Sequence, residues 1–343
     1  MSESNVIAID LAKSSFDVCV LSPANEVLTQ RNFNRSSLKA WLIKQQHSIV
    51  AVEACGSAHY WAKVARGYGH QVMLIPPLFV KRFLSGHKTD KNDALAIAVA
   101  SKQPDVKPVQ VKSDEQLALQ SCERIRQHYV DEQTATSNLL KGILYEFGIT
   151  LAQGKRALVR SIPDILEDAE NGLPDELRSE VHRLYQTWQA LDEQVDAISK
   201  RLQRRINAHP KCKKLKALEG VGEVNALGLY MALGDTGAAF KNGREAAACI
   251  GLTPKQYSTG GKTVLLGISK YIANKKLRAN LIQGALAKAK VLTNKEPQTP
   301  KDKWLKALIE RRGLRRAAVA LANKTVRTAW SMLHHNTEYQ TTA

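Results

Sequence analysis

Val6-Ile7-Ala8-Ile9-Asp10-Leu11-Ala12-Lys13-Ser14-Ser15-Phe16-Asp17-Val18-Cys19-Val20-Leu21 decides the fold of the first third of the chain. Val6 to Ile9 is an apolar run that reads as a buried strand, and Asp10 ends it. Ala12 to Ser15 reads as a turn, and Phe16 to Leu21 alternates like a second strand. An acid at the end of a buried strand is costly unless a cation or a hydrogen-bond donor meets it. Asp17 lies within the second strand, opposite its apolar neighbours, and is expected to face solvent.

Outward from this hairpin, Glu26 to Phe33 reads as a third strand and Ser36 to Gln46 as a helix with Leu38, Trp41 and Leu42 on one side. Ile49 to Val52 is a second apolar run, ending on Glu53. Tyr60 to Tyr68 reads as a helix closed by Gly69, and Gln71 to Ile75 as a strand stopped by Pro76-Pro77. The expected fold class is α/β in this part, and the order of elements resembles the ribonuclease-H-like scaffold.

Two more acids follow in Lys88-Thr89-Asp90-Lys91-Asn92-Asp93-Ala94. Asp90 and Asp93 are three apart, which places them on one face of a helix. Thr89 or Asp90 could instead serve as the helix N-cap. Asp10, Glu53, Asp90 and Asp93 together have the ligand type and number for Mg²⁺, which takes oxygen ligands and in pairs can clamp a reacting phosphate. Any one of them alone reads as structural.

The 343 residues suffice for two or more domains with a sizeable core. No apolar stretch approaches the roughly 20 residues of a membrane span, and Met1 to Asn5 has no signal-peptide character. A cytoplasmic protein is expected. Cys19, Cys55, Cys122, Cys212 and Cys249 are widely spaced, which argues against a disulfide framework and a zinc knuckle. The net charge of +18 is unevenly spread. Lys241 to Ala343 carries 20 Lys and Arg against 5 Asp and Glu, a net of +15. The last third therefore reads as the surface for a polyanion; a membrane surface fits less well, because the cations form no single amphipathic helix.

Three domains are expected: residues 1–104, a helical coiled-coil region at 105–208, and a mostly helical basic region at 209–343. Residues 113–147 read as one long helix ended by Gly148. Pro163 to about Ile206 reads as a second, with Leu184, Trp188, Leu191, Val195, Ile198 and Leu202 as its packing seam. The two suggest an antiparallel hairpin, serving either bundle packing or dimerisation. Gly220-Val221-Gly222 resembles a helix-hairpin-helix turn that offers backbone N–H groups to a phosphate. Trp304 and Trp330 are expected in the core.

A second candidate site is Gly251-Leu252-Thr253-Pro254-Lys255-Gln256-Tyr257-Ser258-Thr259-Gly260-Gly261-Lys262. Two hydroxyls beside Gly-Gly and between lysines suit a phosphate, and a hydroxyl there could attack a phosphodiester. The bland reading is a glycine-rich turn with a solvated Ser-Thr pair. Lys262, Lys270, Lys275, Lys276, Arg278, Arg311, Arg312, Arg315 and Arg316 are expected phosphate contacts.

Asp10, Glu53, Lys88 to Asp93, Gly220-Val221-Gly222, Gly251 to Pro254, Tyr257 to Lys262 and Leu266-Gly267-Ile268-Ser269-Lys270 occur in an order that resembles the DEDD transposases of insertion-sequence family 110. The wording around Ser258 and Ile268 is similar to its 1111 subgroup, and the Piv-type DNA invertases are similar too. The resemblance implies a RuvC-like N-terminal domain, a coiled-coil linker and a C-terminal transposase domain. It implies Mg²⁺ held by Asp10, Glu53, Asp90 and Asp93, and a serine nucleophile that links transiently to DNA. It further implies a structured guide RNA (a bridge RNA) that pairs with donor and target DNA, a homodimer or homotetramer, and a nucleoid-associated place in a prokaryotic cytoplasm. The family's serine falls two positions after the equivalent of Tyr257, where this chain has Thr259, so either Ser258 or Thr259 is the nucleophile. A plain RuvC-like nuclease or junction resolvase is the alternative enzyme; a non-catalytic DNA-architectural protein would explain the basic third but not the acids.

Overall fold

The computed structural model describes residues 4–85, 89–269 and 274–340. They group into two compact units, Met1–Ser113 with Leu233–Lys241, and Asp114–Ala232 with Asn242–Ala343.

The first unit is built on a five-stranded sheet. Its elements are β1 (Val6–Leu11), β2 (Ser15–Leu21), β3 (Val27–Asn34), α1 (Arg35–Leu42), β4 (Ile49–Glu53), α2 (Ala58–Gly67), β5 (Gln71–Ile75), α3 (Pro77–Val80) and α4 (Asp90–Ser101). The sheet order is β3-β2-β1-β4-β5. The first three strands pair antiparallel and the last two join in parallel. This is the ribonuclease-H-like arrangement expected from the sequence.

Strand alternation sorts the sheet into two cores. Ile7, Ile9, Val50 and Val52 face Leu38, Trp61 and Ala62 of α1 and α2. Val6, Ala8, Cys19 and Ala51 face Ala94, Ile97 and Ala98 of α4. Small residues on both partners let α4 lie close against the sheet. Asp10 and Glu53 continue the series that ends in Ala8 and Ala51, so both belong to the α4 side. Asp17 belongs there too, in phase with Cys19. Asp17 is 9% exposed and accepts a hydrogen bond from Asn32 Nδ2 at 2.7 Å, so it does not face solvent as expected. The sheet is covered on both faces, and alternation alone cannot tell a second covered face from a wet one.

Among the described residues, the second unit is helical apart from one hairpin. It holds α5 (Asp114–Glu146), α6 (Lys155–Glu167), α7 (Asp175–Ala208), α8 (Pro210–Leu215), α9 (Glu223–Leu233, its last residue grouped with the first unit), α10 (Gly243–Cys249), β6 (Pro254–Thr259), β7 (Lys262–Ile268), α11 (Lys275–Thr293), α12 (Pro300–Arg312) and α13 (Leu314–His334). The pair α5 and α7 runs antiparallel, with Arg126 Nε donating to Ser199 Oγ at 2.9 Å and Gln133 Nε2 to Asp192 Oδ1 at 2.8 Å. Trp188, Ile198 and Leu202 of the expected seam are buried. The second helix does not start at Pro163, which lies inside α6. The break falls at residues 168–174, where Gly172 has φ +73° and Pro174 caps α7. Leu158 and Ile162 bury α6 despite the proline.

No helix among the described residues is long and apolar enough to cross a membrane. The five cysteines are free thiols.

Candidate active site

Thr89 caps α4, its Oγ1 accepting from Asn92 N at 3.3 Å. Capping by Thr89 leaves the Asp90 carboxylate in the first helical turn, where the helix dipole favours negative charge, and Asp93 follows on the same face. β1 delivers Asp10 to that end of α4. The carboxylates of Asp10, Asp90 and Asp93 bring one oxygen each within 4.8 Å of one another. Glu53 follows Val52, the partner of Ile9 in the parallel ladder. It lies outside the 4.8 Å group, yet near enough for its charge to act on Asp10. Asp17 pairs with Asp10 in the β1–β2 register.

This crowding shows in the protonation of Asp10. Burial first, then the charges of Asp93, Asp90, Glu53 and Asp17, push its carboxyl up to about 6. Burial, followed by Glu53 and Asp10, also raises the Cys55 thiol. Asp93 Oδ1 is shut off from solvent and has no hydrogen-bond partner. A buried carboxylate oxygen left unpaired is expensive, and a cation would satisfy it. All three clustered side chains are hard oxygen donors, the type that Mg²⁺ and similar divalent ions take.

The second candidate segment is a β-hairpin whose turn is the glycine pair. Gly260 (φ +51°) and Gly261 (φ +77°) form its two-residue turn, the left-handed pair that a type I′ turn requires. Ser258 pairs with Thr263 across the strands, and Thr259 with Lys262. Neighbours on a strand point to opposite faces, so the two hydroxyls cannot serve the same site in this conformation. Ser258 Oγ accepts from Gln256 Nε2 at 3.2 Å and lies 3.2 Å from Thr263 Oγ1. Every residue of β6, and of β7 as far as Gly267, is exposed. The base is held from outside. Arg278 Nη1 donates to Gly251 O at 3.4 Å and to Ser269 O, one carbonyl on each leg.

Arg278 is thus spent at least in part on the hairpin. Lys262, Lys275, Lys276, Arg311, Arg312, Arg315 and Arg316 are exposed; Lys88 and Lys270 lie outside the described residues. The Gly220-Val221-Gly222 turn sits between α8 and α9, but it is packed against protein. A Cβ on Gly220 would meet the Gly284 backbone at 2.7 Å, and Val221 is buried. Gly220 (φ +74°) therefore serves a close approach to α11, while Gly222 at the other end of the turn is exposed with open space beside it. Trp330 is buried as expected, but Trp304 is 36% exposed. Sequence reasoning also passed over Arg244 of α10 and Lys324 and Arg327 of α13, which line one groove together with Arg315 and Arg316.

Residues 7–149 match the DEDD-type IS110 family model, described as transposase, and residues 212–302 match the model described as transposase, IS116/IS110/IS902 family. The transposase for insertion sequence element IS1111A of Coxiella burnetii is 36% identical over 99% of this chain and 92% of its own length. The transposase for insertion sequence element IS1328 of Yersinia enterocolitica is 33% identical over 99% of both. The pilin gene-inverting protein of Moraxella bovis is 22% identical over 82% of this chain and 81% of its own. Among solved structures, Thermus thermophilus RuvC with a Holliday junction substrate aligns over 31% of this chain and 99% of its own, at 17% identity and a TM-score of 0.25.

Proposed function

The chain belongs to the IS116/IS110/IS902 family of transposases, and from that premise we propose that it cuts and rejoins DNA through a serine-linked intermediate, with a divalent metal held by the acidic cluster and the nucleophile carried on the hairpin. As a DNA transposase it acts on DNA. The observation that carries the reading is the convergence of Asp10, Asp90 and Asp93, with Asp93 Oδ1 buried and unpartnered.

Asp10, Asp90 and Asp93, with Glu53 beside them, would hold Mg²⁺, which when bound polarises a scissile phosphate and stabilises the charge that develops on it. Ser258 is the nucleophile in this reading. Its Oγ forms a bond to phosphorus while the P–O bond to one sugar oxygen breaks, and the serine proton ends on that departing oxygen. Attack by a sugar hydroxyl from another DNA end reverses the exchange and restores Ser258. No water or nucleotide is consumed, because each ester bond replaces another. Its contacts with Gln256 and Thr263 favour Ser258 over Thr259, which lies beside the turn on the other face.

The division into residues 1–104, 105–208 and 209–343, a structured guide RNA, a homodimer or homotetramer, and a nucleoid-associated cytoplasmic location complete the proposal. Family membership supports them. The test is recombination between two plasmid-borne sites in cells carrying the element's own end sequences. Ser258→Ala should abolish joined products and Thr259→Ala should retain them. Sequencing of RNA bound to the purified protein should return one defined species from beside the gene. Full recombination by Ser258→Ala, or only random RNA, would refute the corresponding part.

A further inference from the structure

A groove of about 1250 Å³ runs along α13 in the second unit. Arg244, Arg315, Arg316, Lys324 and Arg327 line it, and no Asp or Glu does. All five are exposed, and none is in an ion pair among the described residues. Other cations of the same unit do have acidic partners: Lys288 meets Asp302 at 2.8 Å, and Lys301 meets Glu219 at 3.1 Å. Five unmatched like charges in one recess repel one another, and a ligand with several negative charges in a row relieves that repulsion. A single small anion would leave most of them unmatched.

The groove's construction suits an extended ligand. Arg316, Ala320 and Lys324 follow at four-residue steps, so Ala320 forms a low floor between two cations. Trp304 rises from α12, and Lys324 Nζ sits 4.6 Å from its ring centre. That cation–π contact holds the ammonium in place before any ligand arrives. At the other side the groove is lined by Pro254, Gly267 and Ile268, the base of the hairpin. Pro254 is four strand steps from Ser258, about 13 Å at the usual rise.

We propose that this groove seats a single DNA strand by its phosphates and leads it to Ser258. Resting on the transposase reading, the proposal adds Arg244, Lys324, Arg327 and Trp304 as contacts. A recess with cations and an exposed indole is the form that takes one strand, whereas a duplex presents a wide convex rod of charge.

The experiment is fluorescence anisotropy of the full chain with a labelled 20-nucleotide oligo-dT across a salt series, with matched single-stranded RNA and duplex DNA as further arms. Arg316→Ala/Lys324→Ala/Arg327→Ala should weaken oligo-dT binding about tenfold or more and cut the salt slope by about 2, near 0.7 per lost contact. The charge-matched Lys200→Ala/Arg201→Ala/Arg204→Ala on α7 should stay within about twofold. Equal weakening by both triples, or a loss confined to RNA or duplex, overturns the proposal. In the wild-type chain, a photo-crosslinking thymidine analogue in the same oligonucleotide should attach to α13 or Trp304; attachment confined to other elements overturns it without any variant. Binding reports on the groove, and recombination by Ser258→Ala reports on the underlying reading.

Discussion

The acidic cluster and the Ser258 hairpin stand on opposite kinds of scaffold. Asp10 and Glu53 extend strands whose preceding residues are almost fully buried, and Asp93 sits in the first turn of a helix with its Ala and Ile face in the core. Their positions follow from packing. Ser258 stands on two exposed strands that touch little besides each other, and a lone two-stranded hairpin is marginal in water. Its position follows from a turn and from Arg278 at the base. A metal-type site needs fixed ligands, while a nucleophile that must reach a phosphate and later release it tolerates an adjustable mount.

The largest effects should come from the rigid side. Asp10→Asn and Asp93→Asn should each lower strand cleavage roughly 10³-fold or more, as loss of a group acting within a unit does. They should leave the fold intact, because each also removes a like charge. Mg²⁺ should raise the melting temperature of the wild-type protein, by about 2.7 kcal/mol of stability at a hundredfold excess over Kd, and should do little for either variant. A fully active Asp93→Asn would break the comparison at its strongest point.

Arg278→Ala should come next, lowering recombination roughly 10- to 100-fold through misplacement of Ser258. Melting should move little, and Arg278→Lys should rescue only in part, since the shorter lysine does not carry its nitrogen to the position of Nη1, which serves both carbonyls. If Arg278→Ala lowered melting sharply instead, the arginine would be structural. Hydrogen exchange should show the same contrast, with β6 and β7 amides exchanging far faster than those of β1 and β4.

A smaller effect concerns pH. Asp10 is raised to about 6, so below that value a proton competes for its carboxylate. Apparent Mg²⁺ affinity should fall as pH is lowered from 7 to 5, beyond what free carboxylates with lower values would give. The apo protein should move the other way. A carboxyl raised on folding makes the native state bind more protons between about 4 and 6, so its contribution favours the fold as pH falls through that window. Titration calorimetry at pH 5, 6 and 7, with apo melting curves alongside, checks both signs.

Much of the rigid half was legible in the sequence. Two apolar runs each ending in an acid, and two acids three apart after a capping threonine, pointed to these carboxylates, of which Asp10, Asp90 and Asp93 converge while Glu53 lies outside their group. Asp17 was misread because a polar residue in an alternating strand looks solvent-facing until the helix covering that side is known. The hairpin was legible in part: Gly260-Gly261 between Ser258-Thr259 and Thr263-Val264 is a turn signal, and the turn was read while the strands flanking it were not. Pro163 drew attention as a helix start, although Asn171-Gly172-Leu173-Pro174 held the stronger break. The groove cations were scattered between residues 244 and 327, so only folding could assemble them.

The central claim is that a protein hydroxyl, and not water, takes the scissile phosphate. The most direct test is to incubate the protein with a nicked substrate that prevents rejoining, denature it, and map any DNA-linked peptide by mass spectrometry. The account predicts a phosphodiester-linked peptide modified at Ser258, absent in Ser258→Ala and in Asp10→Asn. Cleaved DNA in full yield with no linked peptide would contradict it.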